Sequence, residues 1–298
     1  MSPPVLAVIG PTATGKSDVA LAAAQRLDAE IVAVDAFTVY QGMDVGTAKP
    51  SAEARGRVPH HMIDVLDPVE ECTVQWFQAR ARMAIDDVRA RGRLPLLVGG
   101  SGLYFRAVVD DLRFPPTDPA LRARLEREHA ADPARAHARL AASDPEAAAR
   151  IDAANLRRTV RALEVVELTG RPFSQWRRAW ESRESVYPDL GVVGLALDRD
   201  ALAARIATRV EAMLAAGWLE ECRRLLDRPL SSTARQAIGY AELFAHLEGH
   251  LALEEAAERI RVRTRRFATR QERWFRADWR IQWEAREAAV EALLRLAG

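Results

Sequence analysis

The feature that most constrains this chain is a glycine-rich turn near its N-terminus. Residues 10–17 fit the pattern G-x-x-x-x-G-K-[S/T]; they follow the apolar run 5–9 and precede the alanine-rich stretch 18–27. The apolar run predicts a buried strand, and the alanine-rich stretch predicts a helix. In this context the backbone N–H groups of the turn bind phosphate at a helix N-terminus. The sequence therefore predicts a phosphate-binding loop within an α/β fold.

Further strands and helices alternate along the first hundred residues. Residues 31–34 and 94–98 are apolar runs typical of buried strands, and residues 73–91 predict the helix between them. The first run ends at Asp35 and the second runs into Gly99-Gly100-Ser101-Gly102. Strands alternating with helices build a parallel sheet with helices on both faces. Because ligands bind beyond the carboxyl ends of such strands, we expect these turns to border one crevice.

Residues 114–187 differ in character from the rest of the chain. Pro115-Pro116 breaks the pattern, and the following stretch is rich in Ala, Arg and Glu with helical spacing. Strand character returns at residues 190–197, after which amphipathic helices are expected to the end. We predict a P-loop core made of residues 1–113 and 188–298, and an all-helical insertion domain at residues 114–187.

Composition excludes several classes of protein. The chain has 298 residues, with 43 Lys and Arg against 42 Asp and Glu, so its net charge of +1 gives no bulk attraction to polyanions. Any nucleic-acid surface must come from segregated charge. The two cysteines, Cys72 and Cys222, have no metal or disulfide spacing, which suits a reducing compartment. No signal peptide or membrane span is found at the N-terminus, so we expect a cytoplasmic protein without membrane contact.

Only two of the 43 basic residues are lysines, Lys16 and Lys49. Lys16 stands at the lysine position of the phosphate-loop pattern, where a compact ammonium is required and a planar guanidinium is not equivalent. A phosphate loop alone does not say which phosphate compound binds. Related kinases and ATPases carry an acidic residue at the end of a core strand. Here the run 94–98 ends in glycines, and the carboxylate is Asp35, at the end of the run 31–34. Asp35 therefore either helps to hold the metal ion or has another role.

Several motifs resemble the bacterial tRNA dimethylallyltransferase family and occur in the expected order. They are residues 10–17, 34–50 (VDAFTVYQGMDVGTAKP), 59–64 (PHHMID), 96–104 (LLVGGSGLY), 158–165 (RTVRALEV) and 237–240 (AIGY). The resemblance spans nearly the whole chain, and the run ending in GTAKP is its most specific part. It implies transfer of a dimethylallyl group from dimethylallyl diphosphate to N6 of the adenosine 3′-adjacent to the anticodon, with release of pyrophosphate.

The resemblance also implies the partners and the site residues. We expect Mg²⁺ as cofactor, the tRNA anticodon stem-loop and dimethylallyl diphosphate as substrates, and a monomer. Catalytic roles are assigned to Asp35, Lys16 and Thr12, with Asp35 as general base and Ser17 as metal ligand. The diphosphate is expected at Gly10, Pro11, Thr12, Ala13, Thr14, Gly15, Lys16 and Ser17. tRNA contacts are expected at Asp35, Ala36, Phe37, Thr38, Ser101, Arg122, Arg157, Arg158, Thr159, Val160, Arg161, Arg235, Gln236, Arg263 and Arg270.

The chain departs from the family in the loop that touches the target base. The family has Asp-Ser followed one residue later by Gln, whereas this chain reads Asp35-Ala36-Phe37-Thr38. The aspartate is kept, but a hydroxyl and an amide are replaced. Phe37 and Thr38 remain able to stack on a flipped base and to form a hydrogen bond with it.

Two arginine-rich segments are candidates for contact with RNA. Residues 259–276 hold eight arginines; those at 259, 263, 266, 270 and 273 would form one stripe of a helix beside an apolar seam of Ile260, Phe267 and Trp274. In the insertion, arginines at 157, 158, 161, 171, 177, 178 and 183 lie around Trp176 and Trp180. Such interleaving suits unpaired RNA, but the tryptophans equally suit a helical core and the arginines equally suit pairing with Glu164, Glu167, Glu181 and Glu184.

Alternatives remain for several single residues. His60 and His61 are interpreted as loop or packing residues rather than metal ligands, because adjacent histidines point apart and no third ligand is suitably spaced. Lys49 is either near phosphate or RNA or present by chance. Arg124 is an alternative to Arg122 at the predicted RNA contact.

Two other functions are compatible with the phosphate loop. A small-molecule or nucleotide kinase with a helical lid would consume ATP without needing RNA. An RNA-binding, ATPase-like module would keep its RNA affinity after Asp35→Ala and lose no reaction.

Overall fold

The computed structural model of the chain describes residues 3–178, 180 and 182–298, and only the main chain of Arg178. The strands within these residues are β1 (Val5–Ile9), β2 (Ala29–Val34), β3 (His60–His61), β4 (Leu94–Gly99), β5 (Leu190–Leu195) and β6 (Ile281–Glu284). They form one sheet of parallel strands in the order β3-β2-β4-β1-β5-β6. The side chain of Arg178 and the predicted partner Glu181 lie outside the described residues.

Helices connect the strands and also form a run of their own between β4 and β5. In chain order they are α1 (Lys16–Leu27), α2 (Ala52–Arg57), α3 (Val74–Ala90), α4 (Gly102–Val109), α5 (Pro119–His129), α6 (Pro133–Ser143), α7 (Pro145–Arg150), α8 (Leu156–Thr169), α9 (Phe173–Arg178), α10 (Arg199–Ala215), α11 (Trp218–Leu225), α12 (Ser232–Arg235), α13 (Tyr240–Leu247), α14 (Leu253–Arg276) and α15 (Arg286–Ala297). Among the described residues, none of these helices combines the length and the apolar character that a membrane crossing needs.

Both faces of the sheet are buried. Successive side chains of a strand point to opposite faces, and in β1 Leu6 and Val8 join one apolar cluster with α1 and α15. Val5, Ala7 and Ile9 join a second cluster, to which α3, α10 and α14 also contribute. This double burial explains why the predicted strands are continuous apolar runs. The predicted fold, a parallel α/β sheet with helices on both faces, is confirmed.

The chain divides into two compact units. One consists of Met1–Val109 and Tyr187–Gly298 and contains the sheet, and the other is Asp110–Val186 and contains α5 to α9. The second unit has its own core, formed by residues that include Leu125, Leu140, Val160 and Leu163. The boundaries drawn from the sequence lie after residues 113 and 187, close to those of the two units.

The prediction of helices alone after β5 was wrong. Ile281–Glu284 forms β6, which pairs with β5 at one edge of the sheet. Only Ile281 of this short strand is buried, so the sequence offers no apolar run of the kind that marks the central strands. The two-residue strand β3, at the other edge, was missed for the same reason.

A buried carboxylate holds the loop that contains the most specific motif. Glu221 of α11 is 1% exposed and accepts hydrogen bonds from the backbone N–H groups of Asp44, Val45 and Gly46 at 2.7, 2.7 and 3.0 Å. The hydroxyl of Tyr240 donates to the same carboxylate at 2.7 Å. Burial, followed by the nearby charge of Glu221, raises the pKa of Tyr240 and so keeps this donor protonated. Glu221 and Tyr240 therefore fix the backbone of the loop that contains the motif.

The lysine of the same motif is also structural. Lys49 is nearly buried, with its side chain 2% exposed, and its Nζ donates to the Tyr40 carbonyl at 2.5 Å and to carboxylates of Asp44 and Asp64 at 2.7 and 2.5 Å. Tyr40 and Asp44 belong to the loop between β2 and β3, and Asp64 follows β3. An ammonium has three donors, so this network satisfies Lys49 completely. Lys49 therefore fixes this loop, which rules out the interpretation of a chance lysine, and it also lines the cavity that contains Lys16.

We predict that Gly46→Ala destabilises the protein. A Cβ at this position would lie 2.2 Å from Trp218 Nε1 and 2.5 Å from the Tyr240 hydroxyl, so these packed rings would have to move. Overpacking of this kind lowers the free energy of unfolding by about 1–3 kcal/mol. Gly56→Ala is the matched control, because a Cβ there meets nothing within 4 Å and Gly56 lies in α2. Chemical denaturation should rank Gly46→Ala below wild type and Gly56→Ala at or above it; equal midpoints would contradict this packing argument.

Candidate active site

The phosphate-binding turn lies between β1 and α1 and is braced by its own side chains. The Thr14 hydroxyl donates to the Pro11 carbonyl at 2.9 Å, and Lys16 Nζ donates to the same oxygen at 2.6 Å. Gly15 precedes α1 with a positive φ of 91°, and no described side chain caps this helix. The N–H groups of the first helical turn lack a capping partner, and the helix dipole adds positive potential there. The turn is thus suited to an anion.

A cavity of about 680 Å³ opens beside this turn. Its walls combine the turn, the segment after β2, the end of β4 and faces of α10 and α14, and they include Lys16, Asp35, Gly100, Arg209, Phe267 and Gln271. The three turns that the sequence assigned to one crevice therefore border the same space. Of the predicted diphosphate residues, those lining the cavity are Thr12, Ala13, Gly15, Lys16 and Ser17, whereas Thr14 is buried at 2% exposure.

Asp35 follows β2 and lines the cavity. Its Oδ1 accepts the N–H of Phe37 at 2.8 Å, which fixes the carboxylate relative to the backbone. Burial raises the pKa of Asp35, although hydrogen bonds from the backbone of Phe37 and Thr38 and the charges of Lys16 and Arg209 act in the opposite direction. A half-buried carboxylate with a raised pKa that lines a cavity is a suitable proton acceptor.

Burial lowers the pKa of the cations in the site, whereas it raises that of Asp35. It lowers the pKa of Lys16 to about 7, with repulsion from Arg209 as the second cause and attraction to Asp35 opposing both. Burial also lowers the pKa of Arg209. Two positive groups held next to one another in a partly desolvated cavity favour a ligand with more than one negative charge.

Sequence reasoning missed the arginines of α10. Asp198 caps this helix by accepting the N–H groups of Asp200 and Ala201, both at 3.0 Å, and so fixes its start immediately after β5. Arg205 Nη1 contacts the Thr14 carbonyl at 3.5 Å, and Arg209 lines the cavity. The spacing of Arg205 and Arg209 could have indicated this, because residues four apart share a helix face. Among so many arginines, this pair had nothing else to distinguish it.

Gln271 was also missed. Its Oε1 accepts the Thr12 N–H at 2.9 Å and its Nε2 donates to the Gly100 carbonyl at 2.7 Å. An amide in the middle of an arginine-rich helix gives no sign in the sequence of these partners, which lie 259 and 171 residues away.

Only some residues of the loop that was predicted to touch the base line the cavity. Phe37 and Thr38 line the cavity with Asp35, whereas Ala36 is packed in the apolar core at 9% exposure. The hydroxyl of Thr38 is buried and has no hydrogen-bond partner among the described residues. Ala36 is therefore removed from the candidate base contacts.

Three other predicted contacts lie outside the cavity lining. Ser101 precedes α4, and its carbonyl accepts the Phe105 N–H at 2.9 Å. Arg235 Nε donates to the Leu230 carbonyl, and Gln236 Nε2 donates to the Ser232 carbonyl, at 3.2 and 2.9 Å. Instead of Arg235 and Gln236, the next two residues, Ala237 and Ile238, line the cavity.

In the insertion unit, several predicted RNA contacts are structural. Glu164 is completely buried and accepts Arg122 Nε at 3.0 Å, Arg161 Nη1 at 2.8 Å and the Asp118 N–H at 2.7 Å. A buried carboxylate needs such partners, so Arg122 and Arg161 are committed to it. Arg124 pairs with Glu167 at 2.8 Å, so it does not replace Arg122 as a free cation.

The motif at the start of α8 presents only part of its residues to solvent. Thr159 and Val160 are completely buried, and Val160 belongs to the core of the insertion unit. Their side chains are corrected from RNA contacts to packing residues. Arg157 and Arg158, by contrast, are exposed at this end of the helix. They stay predictions for contact with the RNA backbone.

The arginines of α14 fall into two groups. Arg263 pairs with Glu242, which is 7% exposed and accepts the Gly239 N–H, and Arg259 pairs with Glu255. Ion pairs also engage Arg261, Arg265 and Arg276. Arg266, Arg270 and Arg273 are exposed and have no carboxylate partner among the described residues. The candidate RNA stripe therefore narrows to these three, with Arg270 also 5.8 Å from the Phe267 ring centroid.

The paired histidines contact other groups of the protein. His61 Nε2 lies 2.6 Å from Glu30 Oε2, and His60 Nδ1 lies 2.7 Å from the Val58 carbonyl. In the described part of the chain there is no group of three or more His, Cys, Asp or Glu residues arranged to hold a metal ion. The two histidines form strand β3 rather than a loop, so only the packing part of their interpretation fits these contacts.

The profile of a family described as IPP transferase matches residues 38–278, most of the chain. The chain belongs to the IPP transferase family. A protein from a Nocardioides species, named tRNA dimethylallyltransferase, is 52% identical over 94% of this chain and 90% of its own length. Another of the same name, from Symbiobacterium thermophilum, is 50% identical over 99% of this chain and 95% of its own.

Solved structures agree with the family assignment. The full-length tRNA isopentenylpyrophosphate transferase of Bacillus halodurans is 38% identical and has a TM-score of 0.71, covering 98% of this chain and 94% of that one. A eukaryotic dimethylallyltransferase described as acting on tRNA is 26% identical, with a TM-score of 0.80 and coverage of 96% and 74%. The resemblance read from the motifs, and with it the predicted class of enzyme, is confirmed.

We predict that this IPP transferase site takes up a proton when it binds pyrophosphate above pH 7. Lys16 with a pKa of about 7 is mostly neutral at pH 8.5 in the free protein, and a bound anion restores its charge. Calorimetry in buffers of different ionisation enthalpy, with inorganic pyrophosphate and Mg²⁺, should show uptake of roughly one proton at pH 8.5 and almost none through Lys16 at pH 5.5. Lys16→Arg, which stays charged, controls for protons exchanged by pyrophosphate itself. Identical uptake by both proteins would contradict the lowered pKa.

Proposed function

We propose that this chain transfers a dimethylallyl group from dimethylallyl diphosphate to N6 of the adenosine 3′-adjacent to the anticodon of tRNA, and releases pyrophosphate. The observation that carries the proposal is that a phosphate-binding turn and a half-buried carboxylate line one cavity in a member of the IPP transferase family. The first can hold the leaving group, and the second can accept a proton from the nucleophile.

The diphosphate lies against the phosphate-binding turn in this proposal. Lys16, Arg209 and the N–H groups at the start of α1 bind its oxygens, and the Thr12 side chain borders the same space. As the bond between C1 of the dimethylallyl group and its oxygen breaks, negative charge develops on the departing pyrophosphate. Cations that are already in position stabilise this charge without reorganisation.

Asp35 acts on the other reactant. The new bond forms between N6 and C1, and the N6 proton passes to a carboxylate oxygen of Asp35, which must therefore be ionised at the start. Because burial raises the pKa of Asp35, its basicity is greater than that of an exposed aspartate. Hydrogen bonds from the backbone of Phe37 and Thr38 hold this carboxylate in place at the cavity.

Mg²⁺ is part of the proposal, and the residues present fit it. The Ser17 hydroxyl is a hard oxygen ligand at the start of α1, and it lines the cavity. Mg²⁺ is usually held by one or two protein oxygens together with substrate phosphates and waters, which needs no cluster of carboxylates. When bound, the ion would neutralise charge on the pyrophosphate.

The adenosine must leave its stack to reach Asp35, and other surfaces must hold the tRNA. The exposed arginines Arg266, Arg270 and Arg273 of α14 are proposed to bind the backbone of the anticodon stem-loop, with Arg157 and Arg158 of the insertion unit. We propose further that the protein acts in the cytoplasm as a monomer. Its two cysteines are buried free thiols, as suits a reducing compartment.

The kinase alternative has less support. A phosphate loop serves kinases equally well, but the end of β4 carries Gly99 and Gly100 in place of the carboxylate that such enzymes use. Gly99 and Gly100 also line the cavity, so no acidic side chain from β4 enters it. The alternative predicts a phosphorylated small molecule and no change in RNA.

We predict that Asp35→Asn abolishes transfer while leaving tRNA binding nearly unchanged. The amide keeps the size of the side chain but cannot accept the N6 proton, so the rate should fall about 10²–10⁴-fold. The measurement is the prenyl mass increment on unmodified tRNA incubated with dimethylallyl diphosphate and Mg²⁺. Asp227→Asn, at an exposed aspartate, is the control. Wild-type turnover by Asp35→Asn would remove Asp35 from the mechanism.

We also predict that the unpaired arginines of α14 set the salt dependence of tRNA binding. Arg266→Gln combined with Arg270→Gln should flatten the log–log slope by about 0.7–0.9 for each phosphate that is no longer neutralised. Arg263 is avoided because its partner Glu242 also accepts the Gly239 N–H. The control is Arg199→Gln combined with Arg224→Gln, which removes the same charge from exposed positions on other helices. If both pairs change the slope equally, the stripe is not a specific RNA contact.

A further inference from the structure

Gln271 of α14 joins two loops that follow different strands of the sheet. Its Oε1 accepts the N–H of Thr12, in the turn after β1, at 2.9 Å, and its Nε2 donates to the carbonyl of Gly100, after β4, at 2.7 Å. The residue is 6% exposed and lines the cavity. Both ends of its carboxamide are therefore used inside the candidate active site.

The chemistry at both ends admits only one orientation of this amide. The Thr12 N–H can only donate and the Gly100 carbonyl can only accept, so the oxygen must face Thr12 and the nitrogen must face Gly100. A carboxylate of the same length would keep the first contact and place an acceptor against the carbonyl. A thioether of similar size would satisfy neither partner. The position therefore requires an uncharged amide.

The neighbouring glycines bring α14 close enough for these contacts. A Cβ on Gly100 would lie 2.5 Å from Gln271 Nε2 and 3.2 Å from the Gly10 carbonyl oxygen. A Cβ on Gly102 would lie 2.1 Å from the ring of Trp274, three residues further along α14. The glycines at the end of β4 thus serve the approach of this helix as well as the cavity.

We propose that Gln271 is a positioning residue for the phosphate site. By holding the Thr12 N–H, it fixes the direction in which the turn presents the Thr12 side chain and the following N–H groups to the cavity. It does so from the helix that also carries Arg266 and Arg270, so the candidate RNA surface and the phosphate-binding turn share one rigid support. The proposal deepens the proposed function, on which its second test rests.

The first test is the binding of inorganic pyrophosphate with Mg²⁺ to the full chain, measured by calorimetry without RNA. Gln271→Met leaves the half-buried N–H of Thr12 and the buried carbonyl of Gly100 without these partners, and we expect about tenfold weaker binding. Gln282→Met makes the same change at an exposed residue of β6 and should stay within twofold of wild type. tRNA affinity of Gln271→Met should also stay within twofold, because the Gln271 side chain is buried whereas those of Arg266, Arg270 and Arg273 are exposed.

A second variant separates positioning from loss of folding. Gln271→Glu keeps the acceptor for Thr12 but loses the donor to Gly100, and it should weaken pyrophosphate binding at least as much as Gln271→Met. Thermal denaturation of each variant establishes that it is folded. Pyrophosphate affinity within twofold of wild type in either folded variant overturns the proposal, and this result does not depend on whether the chain transfers a prenyl group.

The second test asks whether Gln271 acts through Thr12. Single-turnover transfer is compared for Gln271→Met, Thr12→Ala and the double variant. If the amide positions Thr12, its removal should lower the rate less than twofold once the Thr12 hydroxyl is absent. If the two single losses of transfer rate multiply in the double variant, Gln271 does not act through Thr12. If wild type itself transfers no prenyl group, the proposed function fails, while the pyrophosphate measurement still decides the role of Gln271.

Discussion

The site depends on the register of three adjacent parallel strands. Gly99 of β4 is paired with Ile9 of β1 on one side and with Val34 of β2 on the other. The next residues, Gly10, Gly100 and Asp35, therefore begin their loops side by side at one edge of the sheet. Neighbouring strands are about 4.8 Å apart, so the backbones of Gly10 and Asp35 are separated by roughly two strand spacings, about 10 Å. Backbone pairing thus places the phosphate-binding turn and the Asp35 loop on the same edge of the sheet.

Burial gives the two charged partners of the site complementary tendencies. It lowers the pKa of Lys16 and raises that of Asp35, so each is pushed towards its neutral form when the cavity is empty. Arg209 adds to the first effect by repulsion and opposes the second by attraction. An anion against the turn relieves the repulsion between Lys16 and Arg209. Two cations beside the phosphate-binding turn therefore favour a multiply charged anion, in agreement with the proposed diphosphate site.

Local patterns made the centre of this site predictable, and long-range partners did not. The phosphate-binding turn and Asp35 each follow an apolar run, so strand pattern and parallel topology together placed them at one edge. Gln271 and Arg209 lie on amphipathic helices where every turn carries polar residues, and only the folded chain shows which of these face the cavity. Glu221 is hidden in the same way, since its partners are backbone N–H groups that any sequence supplies.

The sequence also could not show which arginines are available to RNA. Arg122 and Arg270 are equivalent by composition and helical spacing, yet Arg122 is bound to a carboxylate with no exposed surface, whereas Arg270 is exposed. A buried carboxylate cannot release its cations without a large desolvation penalty, so Arg122 stays on Glu164 and cannot follow a mobile polyanion. An exposed arginine loses little when it exchanges water for phosphate. The burial of the nearest acid, more than the local density of arginine, therefore decides which cations of this chain can serve RNA.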